Sequence, residues 1–302
     1  MLRRLGYVLL IVLGLFSLNG CWGSLNQESA TLVESSLPSA TLTPIPSPTV
    51  TPEPLALQVN GLGITLREFE AERQRLRSAA EALGQTLDAS TERERLVNEF
   101  IDQLLLAQAA YASGYQDDEA VLEAKISALK TTLGGDVAWQ QWLTAHNYTE
   151  VDYRQALARA LAAAWQRDRI IEAVPQTVEQ VHVRQILTRD QATAEAYYRQ
   201  LQAGADFDAL AFQIDPVTGG DLGWFPRGYM TRSELEAAVF ALEPGQYTPV
   251  IQTDLGFHIL KLIARDPQRP LSVDARRFLQ HQALQQWLDE QRRQADIKVL
   301  VP

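Results

Sequence analysis

The amino-acid sequence predicts an α+β fold, in which a mixed domain with an antiparallel sheet is inserted into a mainly helical region. Apolar residues recur at helical spacing over most of residues 57–173, which predicts a series of amphipathic helices. After Pro175 the pattern changes to two alternating strands and shorter helices, without a regular βαβ repeat. Apolar residues recur at helical spacing again over residues 271–295, which predicts a last helix. This last helix has too few partners to stand alone, so we expect it to fold back onto the first helical region.

The composition is that of an ordinary globular chain with net negative charge. Of 302 residues, 46% are hydrophobic, and 27 Lys and Arg stand against 37 Asp and Glu, which gives a formal net charge of -10. This apolar content argues against wholesale disorder, and the lack of clustered basic charge argues against nucleic acid as a partner. The only cysteine is Cys21. The sequence therefore predicts no internal disulfide, no metal centre and no cofactor.

The first 20 residues have the pattern of an export signal. Two arginines precede an apolar run at residues 5–18, which is shorter than the about 20 residues that a membrane-spanning helix needs. A permanent anchor helix is the alternative interpretation. Residues 18–21, Leu-Asn-Gly-Cys, resemble a bacterial lipobox. This resemblance implies that residues 1–20 are removed and that Cys21 becomes an acylated N-terminus.

Residues 21–55 are predicted to form a tether, because they are rich in Ser, Thr and Pro and contain little to bury. A flexible coil of this length spans about 30–35 Å. Acylation and a tether together predict an extracytoplasmic protein that a lipid anchors to the cell membrane, or to an outer membrane where there is one.

The helical region, residues 56–176, opens with two capping signals. Thr65 with Glu68 and Thr91 with Glu94 each form a capping box before an apolar stripe. Each box is predicted to begin a helix.

Three further helices are predicted before the mixed domain. One covers residues 117–133 and ends at two glycines, a short one carries two tryptophans, and a long one is capped by Thr149. The apolar stripes are interpreted as core. The alternative is that they offer a groove to apolar segments of a partner.

In the mixed domain, each predicted strand carries one polar side chain on an otherwise apolar face. Gln185 holds this place in residues 181–187, and His258 holds it in residues 257–263. Two helices are predicted between the strands, and Asp206 is predicted to cap the second. A glycine-rich run follows, but it lacks the Lys-Ser/Thr pair of a phosphate-binding loop.

Five segments of this domain occur in the order and approximate spacing of a known family. They are VHVRQILT, AGADFDALA, DPVTGGDLGWFPRGYM, LEAAVFALEPGQYTPVIQT and LGFHILKL. Over residues 178–266 they resemble a parvulin-type peptidyl-prolyl cis/trans isomerase domain. The flanking helices, starting with VNGLGITLREFEAE, resemble the N-terminal region of PrsA-like and SurA-like foldases. The implied organisation is a parvulin-like domain at residues 177–267, followed by a C-terminal helix within residues 268–302.

The resemblance also assigns candidate site residues. His258 matches the second of the family's paired pocket histidines, Asp215 matches the Asp or Cys beside the proline site, and Gln185 stands where the first histidine would be. Four residues match the lining of the substrate pocket: Leu222, Met230, Leu235 and Thr253. Of these four, Leu235 replaces the more usual aromatic residue of the family.

The implied reaction is rotation about an Xaa-Pro peptide bond, which has a barrier of about 18–20 kcal/mol. The expected partners are unfolded or nascent exported polypeptides. The leading hypothesis is a membrane-tethered foldase with isomerase activity. One alternative is a holdase chaperone whose parvulin domain is catalytically weak or inactive, and another is a purely structural lipoprotein of the cell envelope.

Each candidate residue also has a purely structural interpretation. His258 and Gln185 would form a hydrogen-bonded pair across adjacent strands, and Asp215 would cap a turn before Pro216. His182 does not replace the missing histidine, because strand alternation directs it to the opposite face.

Overall fold

The computed structural model describes residues 53–301. Within this range, none of the helices combines the length and the apolarity needed to cross a membrane. The predicted export signal, the acylation site Cys21 and almost all of the predicted tether lie outside the described residues.

The described chain contains nine helices and seven strands. The helices are α1 (Leu66–Ala82), α2 (Ala89–Ala112), α3 (Glu119–Leu133), α4 (Asp136–Ala145), α5 (Glu150–Glu172), α6 (Gln191–Gln202), α7 (Phe207–Ile214), α8 (Ser233–Phe240) and α9 (Val273–Gln294). The strands are β1 (Leu55–Val59), β2 (Leu62–Thr65), β3 (Thr177–Thr188), β4 (Asp221–Pro226), β5 (Ile251–Thr253), β6 (Gly256–Pro270) and β7 (Ile297–Val299). All strand pairs are antiparallel, which confirms the predicted α+β class.

Three helices begin at the predicted caps. The Thr65 hydroxyl accepts from the Glu68 amide at 3.1 Å, and the Asp206 carboxylate accepts from the Ala209 amide at 2.7 Å. Thr149 caps α5 in the same way. Each cap supplies an acceptor to an amide that the first helical turn leaves unpaired.

The predicted start of α2 is wrong by three residues. The helix begins at Ala89, and the Asp88 carboxylate accepts from the amides of Ser90 and Thr91 at 3.1 and 2.9 Å. A carboxylate three residues before Thr91 therefore takes the capping role that the Thr91–Glu94 pattern suggested.

The described residues form two compact units, and α2 and α5 contribute to both. The first comprises residues 53–104, 116–161 and 295–301. It contains a small sheet with the strand order β2-β1-β7, which the sequence did not predict. It also contains a buried cluster of apolar side chains from α3, α4 and α5: Leu122, Ile126, Trp139, Leu143, Tyr153 and Leu157.

The second unit comprises residues 105–115 and 162–294 and contains a four-stranded sheet with the order β4-β3-β6-β5. One face carries a cluster with α6 and α7: Ile186, Leu201, Phe207, Leu210, Ala211 and Ile259. The other face carries a cluster with α8, here called the α8 cluster: Val181, Val183, Phe225, Leu235, Val239, Phe240, Leu260 and Leu262. Both faces of the two central strands are therefore covered.

Candidate functional site

The two central strands bring Gln185 and His258 together. Gln185 lies opposite Leu260 and His258 lies opposite Leu187, so the two polar residues are diagonal neighbours on one face. His258 alternates with Leu260, a member of the α8 cluster, and so lies at the edge of that cluster.

Hydrogen bonds hold the His258 ring at both nitrogens. Nε2 lies 2.8 Å from the Thr253 hydroxyl, and Nδ1 lies 3.3 Å from Oε1 of Gln185. The side-chain oxygen of glutamine only accepts, so Nδ1 carries the proton and Nε2 accepts from Thr253. The Thr253 oxygen in turn accepts from the Leu255 amide at 3.1 Å. These bonds fix one tautomer and one orientation of the imidazole.

The environment of His258 favours the neutral ring. His258 is only 2% exposed, and burial lowers its pKa below the ordinary value of 6.5. The positive charge of Arg232 acts in the same direction. The imidazole is therefore a neutral hydrogen-bonding group at pH 7.

An ion pair joins the two loops that carry pocket candidates. Nε and Nη2 of Arg232 lie 2.8 and 2.6 Å from the two oxygens of Asp254. Asp254 follows Thr253 in the turn between β5 and β6, and Arg232 lies two residues beyond Met230. This pair was missed in the sequence, because no local pattern links residues so far apart along the chain.

Three of the four predicted lining residues meet on the α8 face. Leu235 is 3% exposed within the α8 cluster, and Leu222 and Met230 pack against that cluster while remaining partly exposed. Thr253, the fourth, contacts His258 as described above. The predicted lining residues and His258 therefore border one apolar surface.

Glu236 holds the loop that carries Met230. Its two carboxylate oxygens accept from the amide of Gly228 at 2.8 Å and from the amide of Met230 at 3.2 Å. Glu236 lies in the first turns of α8, where a carboxylate also has a favourable interaction with the helix dipole. The sequence alone does not reveal this role of Glu236, because a glutamate at the start of a helix is too common to be diagnostic.

Asp215 forms a turn at the end of α7. Its carboxylate accepts from the amides of Val217 and Thr218, each at 3.1 Å, from the Thr218 hydroxyl, and from the Gly220 amide at 3.3 Å. The hydrogen bond from the Thr218 hydroxyl is the main reason that the pKa of Asp215 falls to about 2. The Gly220 carbonyl accepts from the Gln185 amide at 2.8 Å, so this turn supports β3 beside the candidate site.

The structure does not join Asp215 directly to His258 by any hydrogen bond or ion pair within residues 53–301. His182 also stays apart from the site, as predicted. Its Nε2 lies 2.8 Å from Asp221, and its ring stacks on Trp224 at 5.4 Å. Among the described residues, no group of three or more His, Cys, Asp or Glu side chains is arranged to hold a metal ion.

A family comparison identifies the domain that carries these residues. Residues 168–277 match the family model of the PPIC-type PPIase domain. This confirms the parvulin-type resemblance that the sequence motifs predicted.

Individual relatives extend over parts of the chain. This chain is 35% identical over 121 residues to the foldase protein PrsA of Geobacillus sp. (strain WCH70). The matched region covers 38% of this chain and 43% of that protein. This chain is also 32% identical over 145 residues to the chaperone SurA of Legionella pneumophila (strain Lens). The matched region covers 41% of this chain and 34% of that protein. The matches to the PrsA relatives thus span less than half the length of each.

Among solved structures, the chain is similar to the crystal structure of the peptidylprolyl isomerase PrsA from Bacillus cereus. The TM-score is 0.44 and the sequence identity is 22%, covering 76% of this chain and 85% of that chain.

Proposed function

We propose that this chain, through its PPIC-type PPIase domain, catalyses cis/trans isomerisation of Xaa-Pro bonds in unfolded, exported polypeptides. The observation that carries the proposal is His258, a buried neutral imidazole held at both nitrogens beside an apolar surface. Rotation about a peptide bond breaks no covalent bond and needs no cofactor. It needs a site that stabilises the twisted amide more than the planar one.

In this proposal the apolar surface binds the proline ring. Leu222, Met230 and Leu235 form that surface, and Thr253 borders it next to His258. Twisting removes the amide resonance, so the bond loses part of its charge separation and an apolar environment favours the twisted state. His258, oriented by Thr253 and Gln185, supplies a preorganised dipole beside the rotating bond.

Asp215 has a separate role in this proposal. Its carboxylate is ionised at neutral pH, and the hydrogen bonds of its own turn fix this negative charge at the end of α7. We propose that this charge acts on the bound peptide through the Gly220 turn and Gln185, rather than by contact with His258.

A second candidate function is a holdase chaperone that binds proline-containing segments with little turnover. Two observations favour it. Gln185 replaces the first pocket histidine of the family, and the carboxylate of Asp215 is already occupied by four donors of its own turn. Both features are compatible with a domain that keeps the binding surface while isomerising slowly.

We also propose that the protein works outside the cytoplasm on a lipid anchor. The export signal at residues 1–20, Cys21 and the tether up to residue 55 support this proposal, with a helical domain at residues 56–176 before the parvulin-like domain. Metabolic labelling with a fatty acid should mark the wild type and leave the Cys21→Ser variant unlabelled. Equal labelling of both would overturn the lipid anchor.

The activity is tested by measuring cis/trans exchange of a short Xaa-Pro peptide by NMR with the full chain in detergent. We expect clear acceleration that falls in the His258→Ala variant. If exchange stays at the uncatalysed rate in the wild type and Gln185→His introduces acceleration, the isomerase function is wrong and the domain lost catalysis at residue 185, as the holdase function expects. Gln185→Ala is the control, because it removes the hydrogen bond to the His258 ring without adding a second histidine. Acceleration that appears in Gln185→His and not in Gln185→Ala therefore comes from the new histidine.

A further inference from the structure

Helix α9 contacts the loop that carries Met230. The rings of Phe278 on α9 and Tyr229 on the loop lie edge to face, with centroids 5.1 Å apart. One turn further along α9, the Gln282 side-chain amide donates to the Gly228 carbonyl at 3.4 Å. Residues four apart lie on the same helical face, so α9 contacts the loop through one stripe of its surface.

The approach of α9 to the loop is close. A Cβ atom built on Gly228 would lie 2.6 Å from Oε1 of Gln282, well inside contact distance. On the other side, Glu236 accepts from the amides of Gly228 and Met230. The loop is thus held from two sides, by α8 through Glu236 and by α9 through Phe278 and Gln282.

Other elements of the second unit fix α9 in place. Leu284 and Leu288, further along α9, are buried together with side chains from the end of α2 and from α5: Leu106, Ala107, Ala110, Ala162 and Ala163. The position of α9 is therefore set by helices outside the four-stranded sheet. Its contact with the loop connects those helices to the edge of the apolar surface.

We propose that Phe278 and Gln282 are positioning residues that hold the loop 228–230, so that Met230 lies against the α8 cluster in the arrangement that binds proline. The inference rests on the proposed function, because it assigns Met230 to the proline site. Neither residue contacts the substrate in this proposal. They act through the loop, and a domain that lacks α9 has a less ordered proline site.

The chain carries its own reporter for this arrangement. It has two methionines, Met1 and Met230, so a chain labelled with ¹³C at the methionine methyl groups gives one resonance from the loop. That resonance responds to the ring contacts and mobility of the loop whether or not the protein catalyses anything.

The experiment compares Phe278→Ala and Gln282→Ala with the wild-type full chain in detergent. Phe278 is already 37% exposed, so its truncation leaves the fold intact, which a melting curve verifies. We expect both variants to shift or broaden the Met230 methyl resonance. We also expect kcat/KM for an Xaa-Pro peptide to fall about two- to tenfold, the range that corresponds to loss of one aromatic edge contact.

Two control variants distinguish positioning from a general loss of structure. Gln286→Ala makes the same change one turn further along α9, at an exposed position, and should leave both the resonance and kcat/KM at wild-type values. Phe278→Tyr keeps the ring and should leave the Met230 resonance and kcat/KM at wild-type values.

An unchanged Met230 resonance in both alanine variants overturns the proposal, and so does a shifted resonance with wild-type kcat/KM. If the wild type shows no catalysis, the proposed function fails, while the resonance still decides whether α9 positions the loop.

Discussion

His258 and His182 lie on neighbouring strands of one sheet but in opposite environments. His258 is buried and bonded to two uncharged groups, the Thr253 hydroxyl and the Gln185 amide oxygen. His182 keeps part of its side chain in solvent, bonds to the Asp221 carboxylate and stacks on Trp224. The same residue type is thus a buried, fixed neutral dipole in one place and a partly exposed partner of a carboxylate in the other.

The difference between the two histidines comes from the side chains that cover each face of the sheet. Beside His258 the sheet carries the α8 cluster, whose apolar side chains exclude water and strengthen each hydrogen bond. Beside His182, Asp221 and Arg184 form a charged surface in which water competes for the same groups. Under the proposed function, we therefore expect the environment of a histidine to matter more for catalysis than its mere presence in the sheet.

The largest expected effect is on stability, from two glycines that support β3. A Cβ on Gly220 would lie 2.0 Å from the backbone oxygen of Gln185, whereas a Cβ on Gly223 would meet nothing within 4 Å. Both have positive φ angles, 69° and 68°. We expect Gly220→Ala to lower the free energy of unfolding by about 3–5 kcal/mol, because backbone must move. Gly223→Ala should lower it by about 1–2 kcal/mol, from the left-handed conformation alone.

Chemical denaturation of the two glycine variants measures this difference. Equal losses of stability would show that the contact between the Gly220 turn and β3 does not constrain the strand beside the site.

The second prediction compares the two histidines by activity. His258→Ala should lower kcat/KM for an Xaa-Pro peptide by about 10²-fold, the scale of losing one preorganised hydrogen-bonding group. His182→Ala should leave it within about twofold, because the His182 side chain pairs with Asp221 on the other face of the sheet and makes no contact with the site. Peptide exchange at equal concentrations of folded protein measures both. A comparable loss of kcat/KM in the two variants would show that His258 has no special role in catalysis.

Much of the site follows from the sequence, because it depends on local patterns. Strand alternation places Gln185 and His258 on one face, and the family motifs supply Thr253 and Met230. The hydrogen bond between Gln185 and His258 agrees with the cross-strand pair expected from that alternation. What the sequence alone did not provide is the environment of these residues, which depends on contacts distant along the chain.

Features formed by distant contacts were missed. The ion pair of Arg232 with Asp254 and the loop contacts of Glu236 have no periodic pattern to reveal them. The small sheet was missed because its strands have only three to five residues and β7 comes from the far end of the chain. Its first hairpin had a usable signal, since Asn60-Gly61 is a typical two-residue turn between strands.

The third prediction concerns pH. Burial lowers the pKa of His258 in the folded state below 6.5, so the unfolded chain binds this proton first as the pH falls. The contribution of His258 to the free energy of unfolding is therefore complete above the unfolded pKa. It decreases as the pH falls from there towards the folded pKa.

Denaturant unfolding of the wild type and of His258→Gln, at about pH 7.5 and about pH 5.5, tests this sign. The wild type should lose more stability on acidification than the variant, which has no titrating ring at this position. An equal loss would mean that His258 does not titrate with a lowered pKa.

The smallest expected effect is that of the Arg232–Asp254 ion pair. The Asp254 side chain is 68% exposed, so Arg232→Gln should leave the melting temperature almost unchanged, as for other surface pairs. It should nevertheless raise the pKa of His258, because it removes a nearby positive charge and leaves the negative charge of Asp254 uncompensated. An NMR titration of the His258 ring proton measures this change.

Arg227→Gln is the matched control. It removes an exposed arginine that pairs with Glu179 and directly precedes the loop 228–230, and it should not alter the titration of His258. If the two variants titrate alike, Arg232 has no specific electrostatic effect on the buried histidine, and desolvation alone accounts for its neutral state.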